Sequence, residues 1–115
     1  MNSGPRPLEG IKVVEFSHMV MGPTCGLIFA DLGADVVKVE PAPEGDKTRR
    51  LPGSGAGYFG TYNRNKRSVS VDLKSVQGLK FATDLVRASD VLLENFGAGV
   101  LDRLGLGYDA MQEIN

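Results

Sequence analysis

The stretch "IKVVEFSHMVMGPTCGLIFADLGADVVKVE", residues 11–40, decides the fold. Its opening "IKVVEF" (11–16) is short, rich in β-branched residues and bounded by Gly10 and Ser17, which is the pattern of a buried strand. After a turn, "GPTCGLIFADLG" (22–33) places Pro23 in a first helical turn, Leu27, Ile28 and Leu32 on a common apolar face, and Gly33 as the stop. "ADVVKVE" (34–40) is the second strand. Strand, short helix and strand make a βαβ unit, which implies parallel pairing with a right-handed crossover.

Beyond it, residues 41–57 ("PAPEGDKTRRLPGSGAG") are crowded with turn residues and predict a loop or an ordered surface excursion. "KRSVSVDL" (66–73) alternates as a strand with Val69 and Val71 on one face. Ser75 is placed to cap a helix whose apolar stripe is Leu79, Ala82, Leu85 and Val86. Gly78 in its first turn costs about 1 kcal/mol against alanine. "DVLLENF" (90–96) is a further strand, and the glycine-rich "ENFGAGVLDRLGLGYD" (94–109) leads into a short helix near "YDAMQEI". The sum is an α/β fold, a Rossmann-like parallel sheet with flanking helices. No following strand uses the last helix as a crossover, so the ending on "EIN" reads as a cut.

A length of 115 residues allows one domain or a piece of a larger one. The formal net charge of −1 gives no field to recruit nucleic acid or an anionic membrane. No apolar run approaches the ~20 residues of a membrane helix, and "MNSGPRPLEG" holds no apolar signal core. The single cysteine, Cys25, permits no internal disulfide or Cys-based metal cluster and fits a reducing cytoplasm; set among apolar helix residues, it reads as a packed structural thiol rather than a nucleophile. Positive charge is concentrated in residues 47–74, where Lys47, Arg49, Arg50, Arg64, Lys66, Arg67 and Lys74 face only Asp72. Such a segment is either a solvated basic loop or a site for a phosphorylated anion.

Open α/β sheets bind ligands at the carboxyl ends of their strands. The first βα turn reads "SHMVMGPT", whose one glycine speaks against an NAD or FAD pyrophosphate site, and "NKRS" lacks the glycines of a Walker loop. The polar groups left at strand ends are His18, Asn95, Arg103 and the basic segment, with Met19, Val20, Met21 and Phe96 as apolar or planar company. His18 alone also reads as a solvent-facing turn residue. One histidine makes no metal site, and no Ser-His-Asp arrangement is present. The residues themselves therefore lead to a phosphate-bearing ligand on an α/β sheet.

Three segments then carry a resemblance. "PLEGIKVVEFSHMVMGPTCGLIFADLGADVVKVEPAPEGD" (7–46), "YNRNKRSVSVDLK" (62–74) and "TDLVRASDVLLENFGAGVLDRLGLGYD" (83–109) resemble, in order and spacing, the N-terminal part of family III CoA-transferases, the formyl-CoA and carnitine CoA-transferase group. The resemblance spans about residues 7–115 and implies that residues 1–115 are a partial CoA-binding Rossmann-like large domain. Two chains of the family interlock as linked rings. It further implies transfer of CoA between an acyl-CoA and a carboxylic acid through an aspartate that becomes an acyl anhydride and then a CoA thioester. By motif, CoA contacts fall on His18, Val20 and Met21, on Val71, Asp72, Leu73 and Lys74, on Asn95, Phe96 and Gly97, and on Arg103. Arg103 and Lys74 would meet phosphates, and Asn95 to Gly97 would line the pantetheine path.

Two departures stand out. Many transferases of the group carry arginine directly after "KVE", where this chain has Pro41, so that contact is lost or moves to Lys47, Arg49 or Arg50. No aspartate here matches the catalytic one, which lies downstream of Asn115 in the family, so the 115-residue chain alone is expected to be inactive. Two other readings stay open: the α-methylacyl-CoA racemase branch of the same fold, and a non-catalytic CoA-binding or dimerising remnant.

Overall fold

Four runs of β-branched and apolar residues form the sheet: β1 (Lys12–Phe16), β2 (Asp35–Pro41), β3 (Arg67–Val71) and β4 (Val91–Glu94). The structure, a computed structural model, describes residues 4–115. All pairings are parallel, in the order β3-β2-β1-β4, with Val14 opposite both Val37 and Leu92. Helices α1 (Met21–Asp31) and α3 (Val76–Arg87) form the crossovers from β1 to β2 and from β3 to β4, residues 42–66 cross from β2 to β3, and α4 (Val100–Arg103) and α5 (Tyr108–Ile114) follow β4. The α/β parallel sheet with flanking helices read from the sequence is the fold found.

Side chains alternate across a strand, so each sheet face has its own character. One face carries Val14, Phe16, Val39 and Val71, buried against Ala82 and Val86 of α3, Leu101 of α4 and Met111 of α5. This is the main apolar core, and the stripe expected on the Ser75-capped helix builds it. Ser75 Oγ accepts from the Gly78 N–H at 2.9 Å, as the capping position requires. Gly78 earns its place: a Cβ there would lie 1.8 Å from the Asp72 carbonyl oxygen, so only glycine lets this first turn approach the end of β3.

The opposite face is half apolar and half charged. Val13 and Val36 pack with Ala30, Ala34 and Leu93, while Glu15 and Lys38, paired in register on β1 and β2, point into the same layer, both buried. Lys38 Nζ lies 3.4 Å from Glu15 Oε2 and 3.0 Å from Asp46 Oδ2. Lys66 Nζ reaches Glu15 Oε1 at 3.0 Å and donates to the Pro23 carbonyl at 2.8 Å. Burial pushes the Lys66 ammonium below the usual lysine range, against the opposing pull of Glu15.

This charged layer overturns the expected apolar face of α1. The helix buries Gly22, Pro23, Gly26 and Ala30, while Ile28 is 55% and Leu32 40% exposed. The long side chains of Glu15 and Lys38 already fill the space under the helix, so only small residues let it seat; a Cβ on Gly26 would lie 1.6 Å from Glu15 Oε1. Cys25 falls on the outer side and is exposed, which corrects its reading as a packed thiol.

Residues 41–57 hold two 3₁₀ turns, Lys47–Arg50 and Gly53–Gly55, followed by a short helix α2 (Tyr58–Tyr62) that periodicity did not show. The basic segment running through this region is mainly the counter-charge of residues 1–46. Arg49 pairs with Glu40, Arg50 with Glu44, Arg64 with Asp31, Lys66 with Glu15 and Arg67 with Asp35. Most of these are exposed pairs that add little stability. Glu40 differs: it is buried, accepts from Arg49 Nε and Nη2 at 2.7 Å each, and receives the Asp46 N–H and the Ser68 hydroxyl. Burial raises its pKa, but Arg49 and these donors win and hold the carboxyl at about 2.

Two outcomes follow. Gly26→Ala should lower stability by about 3 kcal/mol or more, because it displaces a buried carboxylate from its ammonium partners; a denaturant titration matching wild type would contradict this packing. Glu40 has its folded pKa depressed from 4.5 to about 2. Its contribution is therefore complete above pH 4.5 and is lost as pH falls toward 2. Thermal unfolding against pH should show a loss across that window that is about 3 kcal/mol smaller in Glu40→Gln than in wild type.

Candidate functional site

In the order β3-β2-β1-β4, the chain leaves β1 to one side for β2 and later returns to its other side for β4. That reversal puts the topological switch point at the carboxyl ends of β1 and β4, the place where open α/β sheets bind ligands. Ser17 to Val20 occupy the end of β1, Asn95 to Gly97 the end of β4, and Asp72 to Lys74 the end of β3. With strands about 4.8 Å apart, the rim from β3 to β4 is about 14 Å long. The sequence-predicted contacts His18, Val20, Met21, Val71, Asp72, Leu73, Lys74, Asn95, Phe96 and Gly97 all fall along it.

The loop after β1 is held residue by residue. Lys38 Nζ donates to the Ser17 carbonyl at 2.9 Å and to its Oγ at 3.1 Å. The Asn95 amide brackets His18, with Oδ1 accepting its N–H and Nδ2 donating to its carbonyl, both at 3.0 Å. Thr48 Oγ1 accepts the Met19 N–H at 3.0 Å, and Thr24 Oγ1 donates to the Val20 carbonyl at 2.6 Å. The His18 ring stacks on Phe96 with centroids 5.4 Å apart and planes 18° off parallel. Asn95 thus acts on the loop itself, and its closeness explains Gly22, where a Cβ would lie 2.7 Å from both Asn95 and Ser17.

At the other end of the rim, Asp72 Oδ1 accepts the Lys74 N–H at 3.0 Å, fixing the turn that leads into α3. Arg103, at the end of α4, is exposed, and its guanidinium folds over Gly99: a Cβ there would lie 2.9 Å from Nη1. Gly99 also has φ 78°, which suits glycine. Among the described residues, Lys47, Lys74 and Arg103 form no ion pair, so within the basic segment Lys47 and Lys74 are the unpaired cations. Arg49, one replacement considered for the missing arginine, is engaged by Glu40 with its guanidinium 3.8 Å from the Phe59 ring centre.

Sequence reasoning missed the group beneath the loop: Glu15, Lys38, Asp46 and Thr48. The signal was available, since Glu15 and Lys38 each interrupt an apolar strand that must be buried. Asp46 is held below the usual aspartate range; burial acts to raise it, and the Thr48 N–H and hydroxyl together with Lys38 outweigh that. A concavity of about 530 Å³ lies beside β4, lined by Leu92, Leu106 and Met111, by the acids Asp90, Glu94 and Asp102 and by Gly97 of the rim among others, with no cationic side chain among its lining residues. No group of three His, Cys, Asp or Glu among the described residues is placed to hold a metal, and none of the described helices is long and apolar enough to cross a membrane.

Known proteins share this architecture and sequence. Formyl-CoA:oxalate CoA-transferase of Rhodopseudomonas palustris (strain HaA2) is 46% identical, over 96% of this chain and 27% of its own. An acyl-CoA transferase of Fusarium pseudograminearum is 40% identical, over 99% of this chain and 28% of its own. The crystal structure of a CAIB/BAIF family protein from Brucella suis superposes with TM-score 0.88 at 42% identity, over 97% of this chain and 32% of that one. This chain therefore spans about a third or less of the length of these relatives. The sequence family described as CoA-transferase family III matches residues 8–115. This match, over almost the whole chain, shows that the chain belongs to CoA-transferase family III.

Proposed function

We propose that this chain is the CoA-binding segment of an enzyme that moves CoA from an acyl-CoA to a carboxylic acid. The observation that carries the reading is the immobilised loop Ser17 to Val20 at the switch point, with Lys74 unpaired at the β3 end of the rim and Arg103 exposed in the helix that follows β4. In this reading His18, Val20 and Met21, Val71 to Lys74, and Asn95 to Gly97 line the path of CoA, and Arg103 and Lys74 hold its phosphates. Arginine suits that task because its guanidinium presents paired donors to phosphate oxygens.

The covalent step belongs to an aspartate further along the full-length protein. Its carboxylate attacks the thioester carbonyl, the C–S bond breaks and CoA leaves as thiolate. The thiolate then attacks the aspartyl carbonyl of the anhydride, releasing the donor acid and leaving an aspartyl-CoA thioester; the acceptor carboxylate reverses the sequence. Between these steps free CoA thiolate must stay in place, and a rigid binding rim supplies that retention. The exposed apolar side chains Met21, Ile28 and Leu32 on α1 fit burial against the rest of the enzyme or its partner in a cytoplasmic homodimer.

The test uses the full-length protein with formyl-CoA and oxalate, then a panel of short carboxylates, followed by chromatography of acyl-CoA products. Formation of a new acyl-CoA is the expected result. Incorporation of deuterium from the solvent at the α-carbon of a branched acyl-CoA, with no transfer to any acid, would instead identify proton-transfer chemistry and overturn the proposal. In the active enzyme, Arg103→Ala should raise KM for the acyl-CoA about tenfold with little change in kcat, the mark of lost binding common to ground and transition states.

A further inference from the structure

Met19 lies at φ 63°, in the left-handed region that side chains other than Gly, Asn and Asp rarely adopt. Its N–H donates to Thr48 Oγ1 at 3.0 Å, and Thr48, fully buried, is itself fixed from behind. The Thr48 N–H donates to Asp46 Oδ1 at 2.8 Å, and Asp46 Oδ2 lies 3.0 Å from Lys38 Nζ. Lys38 in turn holds the Ser17 carbonyl. A continuous buried chain, Lys38–Asp46–Thr48, thus grips the loop on both sides of His18, and the 3₁₀ turn Lys47–Arg50 brings Thr48 to it from 29 residues away in sequence.

We infer that Thr48 is a positioning residue for CoA: its hydroxyl keeps Met19 left-handed and so aims the following Val20–Met21 backbone at the ligand. The inference rests on the reading that Val20 and Met21 meet CoA, and Thr48 acts through Met19 without touching the ligand. Removing the hydroxyl leaves the Met19 N–H without its acceptor and lets the residue relax toward the broad region that a methionine prefers, which rotates the next peptide away.

Calorimetric titration of the full-length protein with CoA, beside its thermal melt, tests this. A wild type that does not bind CoA would remove the functional reading itself. Given wild-type binding, Thr48→Val, similar in shape without the hydroxyl, should bind about tenfold more weakly. Thr48→Ser, which restores the acceptor, should bind within about threefold of wild type. Independently, Met19→Asn and Met19→Val both remove the thioether at a 41% exposed position, so their difference reports the backbone. Asparagine tolerates the left-handed region and β-branched valine does not, so the valine variant should bind about tenfold more weakly than the asparagine variant. Equal binding by Thr48→Val and wild type, no restoration by serine, or equal binding by the two Met19 variants would overturn the inference. Should Thr48→Val fail to fold, the Met19 pair decides.

Discussion

The structure turns on one buried carboxylate, Glu15, held between the ammonium groups of Lys38 and Lys66. Taking three charges out of water costs several kcal/mol per ion, and the cost is offset only where partners and hydrogen bonds are complete. Here most of that compensation is present: Glu15 Oε2 accepts from Ser17 Oγ at 2.6 Å, Lys38 meets Asp46 and the Ser17 carbonyl, and Lys66 meets the Pro23 carbonyl and Asn63 Oδ1, while Glu15 Oε1 and Asp46 Oδ2 have ion-pair contact without an aligned hydrogen bond. The cluster ties together β1, β2, the N-terminal turn of α1 and the approach to β3. An apolar layer of the same volume would pack these elements without fixing the loop between them.

That loop is where architecture becomes function. Lys38 holds Ser17, Asn95 from the neighbouring strand end holds His18, and Thr48 from the long excursion holds Met19. Three distant parts of the chain converge on three consecutive residues. The backbone is thereby set before any ligand arrives, which lowers the ordering cost of binding a long flexible cofactor. The glycines at 22 and 26 belong to the same arrangement, since each gives α1 room beside a clamping side chain.

Much of this was legible in sequence. The βαβ reading of residues 11–40 holds because β-branched runs bounded by glycine and proline leave few alternatives, and the Ser75 cap and the Leu79–Val86 stripe are local patterns. The buried face of α1 was misread because helix periodicity ranks residues by hydrophobicity, whereas the charged layer beneath selects them by size. Ile28 and Leu32 therefore turn outward, and Gly26 and Ala30 turn in. The basic segment was misread in part because its charge balance is local in sequence only: in space Arg49, Arg64, Lys66 and Arg67 meet acids from residues 15–40. Thr48 carried no local signal, since its role exists only once the 3₁₀ turn places it against Met19. The CoA contacts came from motif resemblance, and the fold brings their strand-end members to one rim.

Two places compete for the cofactor: the rim at the carboxyl ends of β1, β3 and β4, which carries Lys74, and the cleft beside β4, whose lining side chains include Asp90, Glu94 and Asp102 and no cation, although Arg103 folds over its Gly99. Phosphates favour the first. A crystal structure of the full-length protein with CoA discriminates between them directly. The account predicts CoA density along the rim against Val20, Met21, Asn95 and Phe96, with its phosphates at Arg103 or Lys74. Density confined to the cleft lined by Leu92, Leu106 and Met111, with the rim empty, would contradict it.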